Sequence, residues 1–270
     1  MPPLYPALKE RPAEFRMNYG SPLHDGLVFA GMGGSGCVGA NVFPDSSPYH
    51  NNGIFVNAVP ETDWTWIPKL RRFGIRGDGS RKNCTRHRKP CALNGTMTIA
   101  VWYYPNTSHC NGIFWVDPYG DFLFKGRYGR SEPFLQSDGA GGVAQLDFAP
   151  VSSGWSHNVF IRNAPAMTVT RYLNGANKQT HSYSAAPTSG AAYINVGCHP
   201  GIGFLNSVIA DALAWTRMLS EAEISALADP SNVDLRVGNV PLILPPRRRF
   251  WPVVSEQAIP KMVPWHLFQH

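Results

Sequence analysis

Residues 204–227 read FLNSVIADALAWTRMLSEAEISAL, and two different periods meet inside them. Ile209, Asp211, Leu213 and Trp215 alternate with small residues, the period of two that a strand shows. Ser220 then opens a helix: its hydroxyl can accept from the amide of Glu223 while Glu223 reaches back to the Ser220 amide, and Leu219 can staple onto Ile224. Asp229-Pro230 ends the helix, because a residue before proline is pushed out of the α region. A long strand followed by one short helix near residues 220–228, in a chain otherwise made of strands and turns, predicts an all-β fold. Two stacked antiparallel sheets are expected, with the helix closing an edge or an end.

The rest of the chain agrees with that reading. In residues 97–104, MTIAVWYY, both alternating sets are bulky, so this strand is expected to be central. Further strands are expected at 54–56, 112–116, 121–125, 143–148, 157–162, 167–173, 176–183, 193–197 and 208–215, ten to twelve in all, each bounded by Gly, Pro, Asn or Ser. Asn174-Gly175 is a hairpin turn signal, since both positions tolerate positive φ. Residues 45–53, from Asp45 through Pro48, Tyr49 and Asn51-Asn52 to Gly53, form a dense turn cluster. The glycines of residues 31–36, GMGGSG, open no helix and precede no Lys-Ser/Thr, so they read as a turn or a close backbone crossing rather than a phosphate loop. With 26 Gly, 24 Pro and only 16% charged residues among 270, one large β domain is expected at 22–229, flanked by proline-rich extended arms at 1–21 and 230–270.

The net charge of +6 is concentrated. Residues 69–89 hold Lys69, Arg71, Arg72, Arg76, Arg81, Lys82, Arg86, Arg88 and Lys89 against the single acid Asp78. Such a loop is either simply solvated or binds an acidic partner. Base-stacking aromatics are lacking there apart from Phe73, which ranks an acidic protein or glycan surface above nucleic acid. The five cysteines (Cys37, Cys84, Cys91, Cys110, Cys198) follow no disulfide framework. Cys84, His87, Cys91, His109 and Cys110 match no standard zinc spacing, so no metal site is expected. Residues 1–16 hold four prolines and no apolar core, and no run approaches a membrane span, so neither a secretion signal nor a membrane segment is expected.

Several motifs, taken in order, resemble the laminin-G-like, concanavalin A-like group of β-sandwich domains. They are Gly26-Leu27-Val28; Asp45, Ser47, Asn51 and Gly53; residues 73–79; residues 97–104; Tyr172-Leu173-Asn174-Gly175; and Ile209 and Asp211 followed by Leu219, Ser220, Glu223 and Ile224. The resemblance spans about residues 22–228. It implies a jelly-roll sandwich used for sugar or protein recognition, with calcium bound in some members. Asp45, Asp63, Asp78 and Asp211 are the oxygen donors a calcium ion would need, yet their spacing forms no loop code, and no cofactor is expected.

The tail from residue 240, with PRRRFWPVV at its centre, is similar to virion-associated proteins of tailed bacteriophages. That similarity implies a non-enzymatic capsid or tail decoration or fibre component, made in a host cytoplasm and carried on the virion. Its partners would be other virion proteins and copies of itself. Arg247, Arg248, Arg249, Phe250, Trp251 and Trp265 have the makeup of an assembly interface. A soluble lectin is the alternative and a polysaccharide hydrolase the third reading. For a glycan, Trp64 and Trp66 in DWTW are candidate platforms, although packing beneath their loop ranks above that, since aromatic side chains mostly serve cores. Sandwich glycosidases of this superfamily carry Glu-x-Asp-x-x-Glu on one strand. Here Glu132 is isolated and Asp147 has no partner two residues away, so no catalytic residue is assigned.

Overall fold

The computed structural model describes residues 20–32, 42–56, 64–70, 72–77, 79, 84–87, 93, 95–105, 111–117, 122–126, 129, 131–137, 143–151, 153–184, 193–199, 203–204 and 206–230. Among them the strands are β1 (Leu27–Met32), β2 (Val42–Phe43), β3 (Gly53–Val56), β4 (Trp64–Ile67), β5 (Arg72–Arg76) and β6 (Cys84–His87). There follow β7 (Met97–Pro105), β8 (Asn111–Asp117), β9 (Phe122–Gly126), β10 (Glu132–Ser137), β11 (Val143–Phe148) and β12 (Ser156–Asn163). The last are β13 (Thr168–Leu173), β14 (Asn177–Ser182), β15 (Tyr193–Val196), β16 (Cys198–His199), β17 (Gly203–Phe204) and β18 (Ser207–Trp215), before the helix α1 (Glu221–Ala228). The strand count exceeds the ten to twelve expected, because β1, β2, β4, β5, β6, β10, β16 and β17 are short or carry weak or interrupted alternation.

Two eight-stranded antiparallel sheets form a jelly-roll sandwich. The first runs β14-β13-β12-β7-β18-β5-β4 with β1 also paired to β18, and the second runs β11-β10-β9-β8-β15-β6-β3-β2. β7 is central, as its two bulky faces require. Its inward Ile99, Val101 and Tyr103 join the core between the sheets, where Phe124 meets Phe160 with ring centroids 4.6 Å apart and Phe29 meets Phe114 at 6.1 Å. Gly31 is a close crossing: a Cβ there would lie 2.4 Å from the Phe43 ring. Asn174 and Gly175 take φ of 52° and 80°, closing the β13–β14 hairpin.

The helix forms as its start signal requires. Ser220 Oγ accepts from the Glu223 amide at 3.3 Å, and Glu223 Oε2 accepts from the Ser220 amide at 2.7 Å. Leu219 and Ile224 then pack with Ala100, Val159, Ile161, Leu213 and Trp215. These side chains alternate with the core residues of β7, β12 and β18, so α1 covers the outward face of the first sheet rather than an edge or end. Among the described residues no helix is long and apolar enough to cross a membrane.

Candidate functional site

Three of the four exposed large apolar side chains among the described residues are Val42 (37% exposed) on β2 and Tyr193 (37%) on β15, both on the second sheet, and Tyr49 (54%) in the loop that leads from β2 past β1 to β3. The register relates Tyr193 to the base of the Tyr49 loop. Gly53 pairs with His87 and Asn195 with Arg86, so Tyr193 projects one position past the level of His87, at the same end where the loop before β3 emerges. Because β3, β6 and β15 are successive neighbours, that loop and Tyr193 stand two strand spacings, about 10 Å, apart. Val42 pairs with Ile54 on the adjoining β2. Ile194 is in the core, so the period of two turns Tyr193 outward.

The loop carrying Tyr49 is held by one carboxylate. Asp45 Oδ1 accepts from the amides of Ala30 at 2.8 Å and Ser47 at 2.9 Å, while Oδ2 accepts from Ser47 Oγ and the Asn51 amide, each at 2.8 Å. Ser47 Oγ also reaches the Val28 carbonyl at 3.3 Å, and the Asp45 amide donates to Asn52 Oδ1 at 2.8 Å. His87 Nδ1 meets the Asn51 carbonyl. Burial pushes the His87 pKa down to about 4, so the ring is neutral and its Nδ1–H donates to that carbonyl. These bonds force a tight turn in which His50 takes a φ of +46°. The loop therefore presents the exposed Tyr49 and His50 on a fixed backbone, the arrangement in which loop residues recognise ligands.

Of the residues picked from sequence, Asp45 anchors this loop, whereas the two tryptophans turn toward the core. Trp64 is not a glycan platform: it is only 3% exposed and lies on β4, stacked on Phe43 at 6.0 Å and edge-on to Phe55 at 5.8 Å. Trp66 faces the same interior and packs edge-on to Phe73 at 5.1 Å. The basic segment is not one solvated loop, because β5 and β6 run through it. Arg72 is buried and paired with Asp211, whereas Arg76 is exposed at the end of β5. The side chain of Arg86, and all of Arg71, Arg81, Lys82, Arg88 and Lys89, lie outside the described residues, as do Arg247, Arg248, Arg249, Phe250, Trp251 and Trp265.

Of the calcium candidates, Asp45 has both oxygens occupied by four protein donors and Asp211 holds Arg72. Asp63 and Asp78 lie outside the described residues. No group of three or more His, Cys, Asp or Glu side chains is placed to hold a metal among the described residues. Glu132, isolated in sequence, is buried inside the sandwich, where its Oε2 accepts from Arg171 Nη1 at 2.8 Å and ties β10 to β13 across the two sheets. Burial pushes its carboxyl up to about 8 against the attraction of Arg171. Asp147 is exposed and bonded to Gln145 at 2.9 Å.

Sequence reading missed Tyr49 and Tyr193. The signal for the first was an aromatic placed inside a polar turn cluster, since residues 45–53 have no core use for Tyr49.

A family model described as the concanavalin A-like lectin/glucanases superfamily matches residues 78–225, more than half of the chain. The chain belongs to this laminin-G-like, concanavalin A-like superfamily. No curated protein matches the sequence. Among solved structures, this lectin-like sandwich resembles the binding domain of Paraclostridial mosquitocidal protein 1, with 16% identity, a TM-score of 0.56, and coverage of 76% of this chain and 52% of that one. It also resembles a botulinum neurotoxin type C structure (12%, 0.55, 76% and 51%) and Trypanosoma rangeli sialidase (13%, 0.51, 78% and 32%). The chain thus spans about half the length of the toxin structures it matches, and at such identities the likeness is one of fold.

Proposed function

We propose that this protein is a non-enzymatic recognition subunit whose corner of Val42, Tyr49, His50 and Tyr193 contacts a glycan. The observation that carries the reading is a pair of exposed tyrosines, Tyr49 on a loop fixed by Asp45 and Tyr193 level with the base of that loop two strands away. A tyrosine ring offers an apolar face to the C–H side of a sugar and a hydroxyl to its polar edge. A loop that is already rigid loses little entropy on binding. The superfamily's lectin character supports the same reading. So do the similar structures: cell entry of botulinum neurotoxin type C depends on interaction with two ganglioside molecules, and the sialidase was solved with 2,3-difluoro-KDN. An acidic glycan is therefore the first ligand class to test. The buried carboxylates argue for the non-enzymatic reading: Asp45, Glu132 and Asp211 each serve a scaffold bond rather than flank a cleft.

The test is a glycan array probed with the full chain and with Tyr49→Ala. Binding to sialylated glycans that falls at least tenfold in the variant supports the proposal, whereas wild-type protein that binds no glycan overturns it. Turnover of a polysaccharide by the purified chain would overturn the non-enzymatic part.

The proline- and aromatic-rich composition of residues 240–270 favours a further element of the same reading, that the subunit is carried on a bacteriophage virion as a capsid or tail component. Deleting residues 240–270 is expected to abolish incorporation into particles while leaving the sandwich folded. Normal incorporation would contradict it.

A further inference from the structure

Among the buried side-chain atoms that make no hydrogen bond to any described residue are Tyr103 Oη on β7, Asn158 Oδ1 on β12, Arg171 Nε on β13 and Glu132 Oε1 on β10. All four side chains are buried, Tyr103, Asn158 and Glu132 completely. A buried polar atom deprived of a partner is costly, and native interiors rarely keep one. These four share the space between the sheets. Tyr103 belongs to the core there, and the period of two turns Asn158 inward with Phe160 and Arg171 inward with Val169. Glu132 enters the same space from the second sheet, where its Oε2 accepts from Arg171 Nη1 at 2.8 Å.

The ladders bring the four together. Ser156 pairs with Tyr103, and Asn158, on the same face of β12, donates through Nδ2 to Ser156 Oγ at 3.2 Å. Phe160 pairs with Arg171, which puts Arg171 diagonally across from Asn158 on the next strand. On the second sheet Phe124 pairs with Phe134, and the same ladder carried onward sets Gly126 opposite Glu132. The Tyr103 ring lies against that glycine: a Cβ on Gly126 would stand 2.7 Å from its Cε2 and 3.2 Å from Cζ, the carbon that bears the hydroxyl. Tyr103, Asn158, Arg171 and Glu132 thus form a polar ring that crosses from one sheet to the other.

The hydrogen-bonding capacities in this ring match those of water. Glu132 Oε1 and Asn158 Oδ1 accept, Arg171 Nε–H donates, and a tyrosine hydroxyl does either. Water donates twice and accepts twice. With Glu132 ionised, it donates to Oε1 and Oδ1 and accepts from Nε–H and the Tyr103 hydroxyl. Burial pushes the Glu132 pKa up to about 8, and with a proton on Oε1 the Tyr103 hydroxyl turns round to accept, so every group still has a partner. A cation could not accept from Nε–H, and a simple anion could not donate to Oδ1.

We propose that this ring holds a buried water molecule, bonded to Tyr103 Oη, Asn158 Oδ1, Arg171 Nε and Glu132 Oε1, as a bridge between the two sheets. Buried waters make about three hydrogen bonds each to groups that would otherwise have none. This one extends the Glu132–Arg171 ion pair to β7 and β12, so that β10 is tied to three strands of the opposite sheet rather than to β13 alone. The site lies in the interior and is independent of the glycan reading.

Water-selective NOE spectroscopy of the nitrogen-15-labelled full chain, read at Arg171 Nε–H, tests it. A buried water that outlasts molecular tumbling gives a cross-peak with the sign of a rigid contact. That cross-peak is expected in wild type and in Tyr103→Phe, where three partners remain. Its absence in wild type overturns the proposal. Its loss in Tyr103→Phe does so too, because the signal would then have come from the exchanging hydroxyl. Oxygen-17 relaxation dispersion counts the long-lived waters. Asn158→Leu combined with Tyr103→Phe keeps the shape of both side chains and the ion pair, and is expected to lose about one such water together with the cross-peak. An unchanged count in the folded double variant overturns the four-partner site.

Discussion

Replacing Asp45 tests how the recognition corner is held. Its carboxylate accepts from three backbone amides and one hydroxyl, and it is buried. Asp45→Ala leaves the amides of Ala30, Ser47 and Asn51 without their acceptor. A buried donor deprived of its partner costs about 1–3 kcal/mol, and three such donors around one carboxylate, two in the loop and Ala30 on β1, partly relieved by relaxation and water, set the expected loss at ~4 kcal/mol. Against a typical domain stability of about 5–15 kcal/mol the protein stays folded but is severely weakened. Asp45→Asn retains one oxygen, which can still serve Ala30 and Ser47. Its NH2 group confronts the Asn51 amide donor to donor, so about half the loss is expected. Urea denaturation followed by circular dichroism reads both losses as shifts of midpoint at constant slope. The sandwich away from the loop should keep its spectrum, while glycan binding falls further than stability does, because Tyr49 loses its fixed position. A loss below about 1 kcal/mol for Asp45→Ala would refute the assignment of this carboxylate as the loop's anchor.

Burial raises the Glu132 pKa from an unfolded value near 4.5 to about 8. The stability this group contributes is therefore complete below the unfolded value and is lost as pH rises through the folded one. Denaturation midpoints of Glu132→Gln are expected to lose that part of the slope between about pH 4.5 and 8, and a slope identical to wild type would contradict the burial argument. Gly31→Ala drives a methyl group into Phe43 and Phe29, at 2.4 and 2.8 Å; overpacking of this kind costs about 1–3 kcal/mol, read as a lowered melting temperature. Ser220→Ala removes the helix cap and is expected to cost about 1 kcal/mol in urea titration.

What the sequence revealed and what it hid depend on the range of the interactions involved. Ser220, Glu223, Leu219 and Ile224 lie within five positions of one another, so the cap and staple were legible, and so were the Asn174-Gly175 turn and the alternation of β7. β10 was hidden by Pro133, whose missing N–H is tolerated because pairing to β9 begins only at Phe134. β4 and β5 were hidden because outward Ile67 is as apolar as inward Trp64 and Phe73, which blurs the period. Arg72 looked like one of many surface cations until it met Asp211, 139 residues away. Trp64 looked like a platform because it follows a loop-like stretch, but the sheet turns it inward. Tyr49 and Tyr193 are separated by about half of the chain, and only the register of β3, β6 and β15 sets Tyr193 level with the base of the Tyr49 loop.

Recognition at that corner is tested most directly by calorimetric titration of the strongest array ligand. Wild-type protein should bind; Tyr49→Ala and Tyr193→Ala should each weaken binding at least tenfold, and Tyr49→Phe less, with melting temperatures unchanged. Undiminished affinity in the double variant Tyr49→Ala with Tyr193→Ala would place recognition elsewhere on the molecule and contradict a glycan site at Tyr49 and Tyr193.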